Sequence, residues 1–205
     1  MDLTFLARGL AVGFTVAAAV GPISLLTIRR TLAHGRIYGL VSGMGVALAD
    51  ATYGGIAAFG LTAITSVLVG ARAALGLVGG LFLVWLAIRT IRARPAEAAE
   101  AIDRPGLAGA FISIYGLTMT NPMTILSFAG IFAGLGLAGR GGADAALLTV
   151  GVFLGSGMWW VGLTAVVGRL RGQVTPRALG WVNRLSGAVL LAFGLAAILV
   201  ALGVV

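Results

Sequence analysis

The sequence predicts an all-α, polytopic membrane protein with six transmembrane helices arranged as two inverted three-helix repeats. Three observations carry that prediction. Hydrophobic residues fill 60% of the 205 positions and charged residues 10%, with a mean hydropathy of +1.08, which leaves too little polar surface for a water-soluble domain. Charge-free stretches recur along the chain at about the 20 residues that a helix needs to cross a hydrocarbon core. A proline-containing segment of the first stretch also returns, in altered form, in the fourth.

Residues 9–28 carry no charge and form the first span. Arg8 and the run Ala17, Ala18, Ala19 give it some likeness to a secretory signal, but a signal's apolar region is only about 7–15 residues long. Asp2 also lies where such a signal would be basic, so a retained span is expected. Between Arg36 and Arg72 only Asp50 is charged, over a stretch too long for one crossing. It divides into a second span at about 38–62 and a third at about 67–88, with Arg72 snorkelling near the outer end. The uncharged stretch 105–139 holds the fourth span, 145–168 the fifth and 185–205 the sixth.

All 14 basic side chains are arginine, and they orient the spans. Arg29, Arg30 and Arg36 lie in the 1–2 loop; Arg89, Arg92, Arg94 and Arg104 in the 3–4 loop; Arg169, Arg171, Arg177 and Arg184 in the 5–6 region. Only Arg8, Arg72 and Arg140 fall on the other side. The positive-inside rule then puts the three arginine-rich loops in the cytoplasm and both termini outside. His34, the one histidine, belongs to the first of these loops and is expected to be solvated. The net charge of +8 is therefore an orientation signal, and no nucleic-acid partner is expected. The absence of cysteine excludes disulfides, thiolate metal cages and dithiol redox chemistry.

The repeat is clearest where GPISLLT, from Gly21 to Thr27, meets NPMTILS, from Asn121 to Ser127, with proline, hydroxyl and leucine positions in register. GGLFLVWLA from Gly79 resembles SGAVLLAFG from Ser186, and Gly45 pairs with Gly155. Three spans per half is an odd number, so the second copy enters the membrane from the opposite face. Residues 1–92 form the first repeat, 93–106 a cytoplasmic linker holding three of the six acids, and 107–205 the second, all within one membrane domain. In secondary transporters of this plan the substrate site lies at mid-membrane, framed by discontinuous helices.

Proline inside a helix removes a backbone donor and frees a carbonyl four residues earlier, here that of Ala18 for Pro22 and of Thr118 for Pro122. Gly21-Pro22 and Asn121-Pro122 also read as N-cap and N1 pairs, each starting a half-helix whose positive end suits a carboxylate. The plainer reading is a packing kink, with Ser24 or Thr124 satisfying the backbone. Asp50 is the only acid inside a span, at mid-depth, and intramembrane acids are candidates for function. Its alternative is a structural acid bonded to Thr or Tyr, and Tyr53, three residues on, shares its face and could donate to it. The repeat sets Trp160 opposite Asp50 in register, where it could stack on a cation or gate a path, or simply pack beside Trp159. Gly43, Gly54 and Gly55 fit close helix packing.

Gly21-Pro22, the run from His34 to Leu40, Gly43, Asp50, Tyr53 and Asn121-Pro122, in this order and spacing, resemble the LysE/RhtB-type amino-acid exporters over nearly the whole chain. Ala87 departs from the glycine often found there. The resemblance implies a multi-pass protein of the bacterial inner membrane that exports amino acids or related small metabolites, driven by protons, with no cofactor. The substrate-binding residues expected are Gly21, Pro22, Asp50, Tyr53, Asn121, Pro122 and Trp160. The alternatives are a divalent metal-cation exporter of a related six-span type, which one intramembrane acid and no cysteine disfavour, and a non-transporting assembly partner. An enzyme is not expected, because no cluster of nucleophile, base and metal residues appears. The bilayer is the expected environment, and a homo-oligomer is left open.

Overall fold

The computed structural model describes residues 2–19, 21–60, 70–92, 106–134, 137, 142–173 and 176–204. These form α1 (Thr4–Ala18), α2 (Pro22–His34), α3 (Arg36–Ala58), α4 (Arg72–Arg92), α5 (Leu107–Met119), α6 (Pro122–Gly134), α7 (Gly142–Leu170) and α8 (Pro176–Ala201), with a 3-10 turn at Arg171–Gln173 after α7. There is no strand among the described residues. Most of the expected 93–106 linker lies outside them.

Four helical stretches are long and apolar enough to cross a membrane: Arg36–Ala58, Ala73–Arg92, Gly142–Leu170 and Arg184–Ala201. A fifth is α1 with α2, bent by 76° at the break between them. The stretch expected to hold the fourth span is instead divided into α5 and α6, each of 13 residues and each shorter than one crossing. Both breaks fall at proline. α2 starts at Pro22 with Gly21 as N-cap, and α6 starts at Pro122, immediately after Asn121.

One expectation is corrected at the first turn. Arg29 and Arg30 are not in a loop, because α2 begins at Pro22 and runs on to His34, and α3 begins at Arg36. Gly35 alone connects them, at φ 97° and ψ 170°, a left-handed backbone that a side chain would strain. His34 is half-buried, its ring 5.3 Å from that of Tyr38. The arginines of α2 act as ties. Arg29 donates to Thr90 of α4 at 2.7 Å, while Arg30 reaches Ser42 of α3 and the Ala110 carbonyl and Ser113 of α5 at 2.8–3.0 Å. Arg171 donates to the carbonyls of Leu32 and Ala33 at the C-terminal end of α2, where a cation also complements the helix dipole.

Without a hydrophobic force between helices in lipid, association depends on close backbone approach at small residues. α1 and α7 meet in this way. A Cβ on Gly9 or Gly13 would strike the carbonyl oxygen of Leu148 or Val152, and one on Gly151 or Gly155 the carbonyl oxygen of Leu6 or Leu10. α4 and α8 touch through Gly80 and Gly194, where an added Cβ would lie 2.8–2.9 Å from the opposing carbonyl oxygen. α3 packs against α5 at Gly45, facing Phe111 and Ile114, and against α7 at Gly43, facing Trp160. Large apolar side chains such as Val78, Leu81, Ile112 and Leu185 point outward, as a lipid-facing surface requires.

Two buried apolar clusters stack along the bundle. One gathers Phe5, Val12, Tyr53, Phe128, Phe132 and Val152; the other gathers Leu26, Val46, Leu86, Leu117, Trp160 and Leu190. On α3 the change from one cluster to the other falls between Val46 and Tyr53, and on α7 between Val152 and Trp160. Asp50 and Ser156 occupy those intervals.

Candidate functional site

At this level lies a cavity of about 340 Å³. The start of α2 contributes Gly21, Pro22 and Ser24; α5 ends at it with Thr118; Asn121, Thr124 and Ser127 enter from the second break and α6. Asp50 and Val46 of α3, Trp160 of α7 and Phe193 of α8 complete much of the remaining wall. Two helix N-termini therefore meet one cavity, whose largely apolar wall carries a few polar groups. The first-turn N–H groups of a helix have no intrahelical acceptor, and at α2 the N-cap is a glycine that offers no side-chain cap. Gly21 itself stands free, since a Cβ there would meet nothing within 4 Å.

The broken ends are satisfied in a definite way. Ser24 Oγ donates to the Ala19 carbonyl at 3.2 Å, so this hydroxyl does serve the backbone at the first break. At the second break the Thr118 carbonyl accepts the Asn121 N–H at 3.1 Å. The Met119 carbonyl accepts the Tyr53 hydroxyl in a short bond, and the Tyr53 ring stacks on Phe128 with centroids 6.1 Å apart.

Asp50 is 1% exposed and its Oδ2 accepts the Ser156 Oγ–H at 2.7 Å. Among the described residues no cation is paired with it. A buried carboxylate with one neutral donor is poorly compensated if ionised, so it favours either a proton or a cationic ligand. The expectation that Tyr53 donates to Asp50 is corrected: its hydroxyl is committed to Met119, and Ser156 of the facing helix is the donor. Trp160 is 1% exposed and packs within the second apolar cluster, yet it also reaches the cavity wall. Its indole N–H is buried with no acceptor among the described residues.

Of the residues expected at the site, Gly21, Pro22, Asp50, Asn121 and Trp160 line this one cavity. Tyr53 does not, and Pro122 contributes by starting α6. Sequence reasoning did not identify Ser156 or Phe193, and pointed to Thr118 only through its carbonyl. Ser156 had a signal, as a hydroxyl between Gly155 and Gly157 in an otherwise apolar stretch, but its partner could be known only from how α3 faces α7. Among the described residues no three His, Asp or Glu side chains come together as a metal cluster.

Several apolar helices long enough to cross a membrane define a multi-pass membrane protein, with a cavity where the two helix breaks meet. The chain belongs to the LysE type translocator family, whose model matches residues 14–200. It is similar to "Putative amino acid efflux protein YcgF" of Bacillus subtilis strain 168, 24% identical over 192 residues that cover 90% of each chain. It is also similar to "Uncharacterized membrane protein YahN" of Escherichia coli strain K12, 32% identical over 129 residues, or 60% of this chain and 58% of that protein. "Uncharacterized membrane protein slr1627" of Synechocystis is 29% identical over 117 residues, 57% of its length. The chain thus matches less than two thirds of the length of two of these three relatives. No solved structure matches.

Proposed function

We propose that this protein is a transporter that exports amino acids or closely related small metabolites from the bacterial cytoplasm by proton antiport. One observation carries the reading: the N-termini of two half-helices and the buried carboxyl of Asp50 face the same cavity. A zwitterion has the matching poles. Its carboxylate suits the positive ends of α2 and α6, and its ammonium group suits Asp50. When the substrate leaves, a proton on Asp50 replaces the lost cation, which couples the two in opposite directions.

Packing supports the inverted six-span plan. Exchanging α1 with α5, α2 with α6, α3 with α7 and α4 with α8 converts the α1–α7 contact into α5–α3 and leaves α3–α7 and α4–α8 as contacts between equivalents. In this plan α1–α2 and α5–α6 are the broken first spans of the two halves, and the two apolar clusters are the barriers on either side of the site. With the arginine-bearing ends inside, α2's C-terminus faces the cytoplasm. Divalent-cation export fits less well, because such ions take several oxygen or nitrogen ligands and the cavity offers one carboxylate.

The test is efflux of a labelled amino-acid panel from proteoliposomes with and without a proton gradient. An opposing proton gradient should accelerate efflux. Asp50→Asn should abolish it while the protein remains folded and membrane-inserted, and normal efflux by that variant would remove Asp50 from the mechanism.

A further inference from the structure

A second chamber of about 220 Å³ adjoins this cavity, and Pro22, Ile23, Asn121 and Phe193 line both. Beyond those shared walls the two differ in chemistry. The first is lined by Asp50, Thr124 and Ser127, and by Ser24 and Thr118, whose hydroxyls donate to the Ala19 and Ile114 carbonyls. The second is walled by Gly79, Gly80 and Leu83 of α4, Leu117 at the end of α5, and Ala196 and Ala197 of α8. Thr120 also lines it, but its hydroxyl already donates to the Gly116 and Leu117 carbonyls at 3.1 and 3.2 Å. None of its lining residues is ionisable.

Ala196 and Ala197 keep the α8 wall small, while Gly79 and Gly80 lie close against Thr120 and against Gly194 and Ile198. The Gly80–Gly194 contact sets how closely α4 and α8 approach beside it. We infer that this chamber receives the substrate's side chain and selects neutral amino acids with an aliphatic chain of about the size of valine, leucine or methionine. The inference rests on the amino-acid reading above and specifies its substrate class. The α-ammonium and α-carboxylate lie in the polar cavity, and the aliphatic chain passes Phe193 into the second chamber. A lysine or glutamate side chain would be desolvated there with no partner. An alanine side chain would leave the chamber unfilled. Phe193, shared by both spaces, is thereby a specificity-determining residue.

Phe193 and Val200 are 42% and 60% exposed, so the chamber also borders the lipid-facing surface, and an acyl chain is the competing occupant. The experiment uses the full chain in proteoliposomes, with exchange of labelled leucine, valine, methionine, alanine, lysine and glutamate measured separately. Leucine, valine and methionine should exceed alanine, lysine and glutamate by tenfold or more, within the range that a hydrophobic pocket discriminates. Ala197→Phe, which fills the chamber, should lower the leucine-to-alanine preference by tenfold or more. Ala196→Leu, a smaller intrusion from the same wall, should shift it in the same direction even if the larger side chain prevents folding. Equal exchange of lysine or alanine overturns the inference and leaves the amino-acid reading intact. A variant that lowers every amino acid by one common factor also overturns it, because that is the behaviour of a lipid-filled space. Absence of exchange for the whole panel overturns the amino-acid reading and this inference with it.

Discussion

At the scale of single residues, the site rests on how a carboxyl is kept inside an apolar bundle. Among the described residues Asp50 has one hydrogen bond, from Ser156, and that bond joins the second span of each proposed half. Ser156→Ala leaves the acceptor without its donor, and a buried group stripped in this way costs about 1–3 kcal/mol. Denaturation in detergent should show that loss; an unchanged melting temperature would mean that water from the cavity replaces the hydroxyl. Gly21→Ala separates function from folding. The added methyl meets no atom within 4 Å, so stability should hold within about 0.5 kcal/mol. It also intrudes where α2 opens to the cavity, so efflux should fall, and full activity would show that substrate does not approach that helix end. Asp50, Gly21 and Asn121 were legible in the sequence because a midplane acid and a repeated break are local features. The role of Tyr53 was not. Its spacing from Asp50 on α3 is right, but the tyrosine ring extends to the Met119 carbonyl, a partner created only by the second break.

At the scale of elements, prolines and glycines decide where helices stop and how near they come. Pro22 and Pro122 start helices as their fixed φ and missing N–H dictate, and this was readable directly. The length of α2 was not, because a run of charge suggests a loop when no partners are visible. Arg29 and Arg30 remain helical because Thr90, Ser42 and Ser113 on neighbouring helices receive their guanidinium groups. The glycines show the same dependence on context, and α7 contains both extremes. Gly155 lies against the backbone of Leu10, whereas a Cβ at Gly162 would meet nothing within 4 Å. Gly155→Ala should therefore destabilise the α1–α7 pair by about 1–3 kcal/mol through overpacking. Gly162→Ala in the same helix should be neutral or stabilise by up to about 1 kcal/mol by restricting the unfolded chain. Equal effects of the two variants in detergent melts would show that α1 and α7 do not pack through this glycine seam.

For the whole molecule, the span count decides which side of the membrane each end occupies, and it can be read out by chemistry that this sequence favours. The chain has no cysteine, so an introduced one reports its own exposure without background. Among the described residues five crossings are visible by length and hydropathy, if α1 and α2 count as one bent span. The sixth depends on α5 and α6 jointly crossing as the broken counterpart of α1 and α2. The contact between α3 and α5, equivalent to that between α7 and α1, argues that they do. An even count puts Leu3 and Val204 on one face, with His34, at the arginine-rich end of α2, on the other. Leu3→Cys and Val204→Cys should then react with a membrane-impermeant maleimide in intact spheroplasts, and His34→Cys only after permeabilisation. Labelling of Leu3→Cys and Val204→Cys from opposite sides would mean that α5 and α6 re-enter on the face they left. The inverted repeat would then fail as the frame for transport, although the cavity between the two helix breaks would remain.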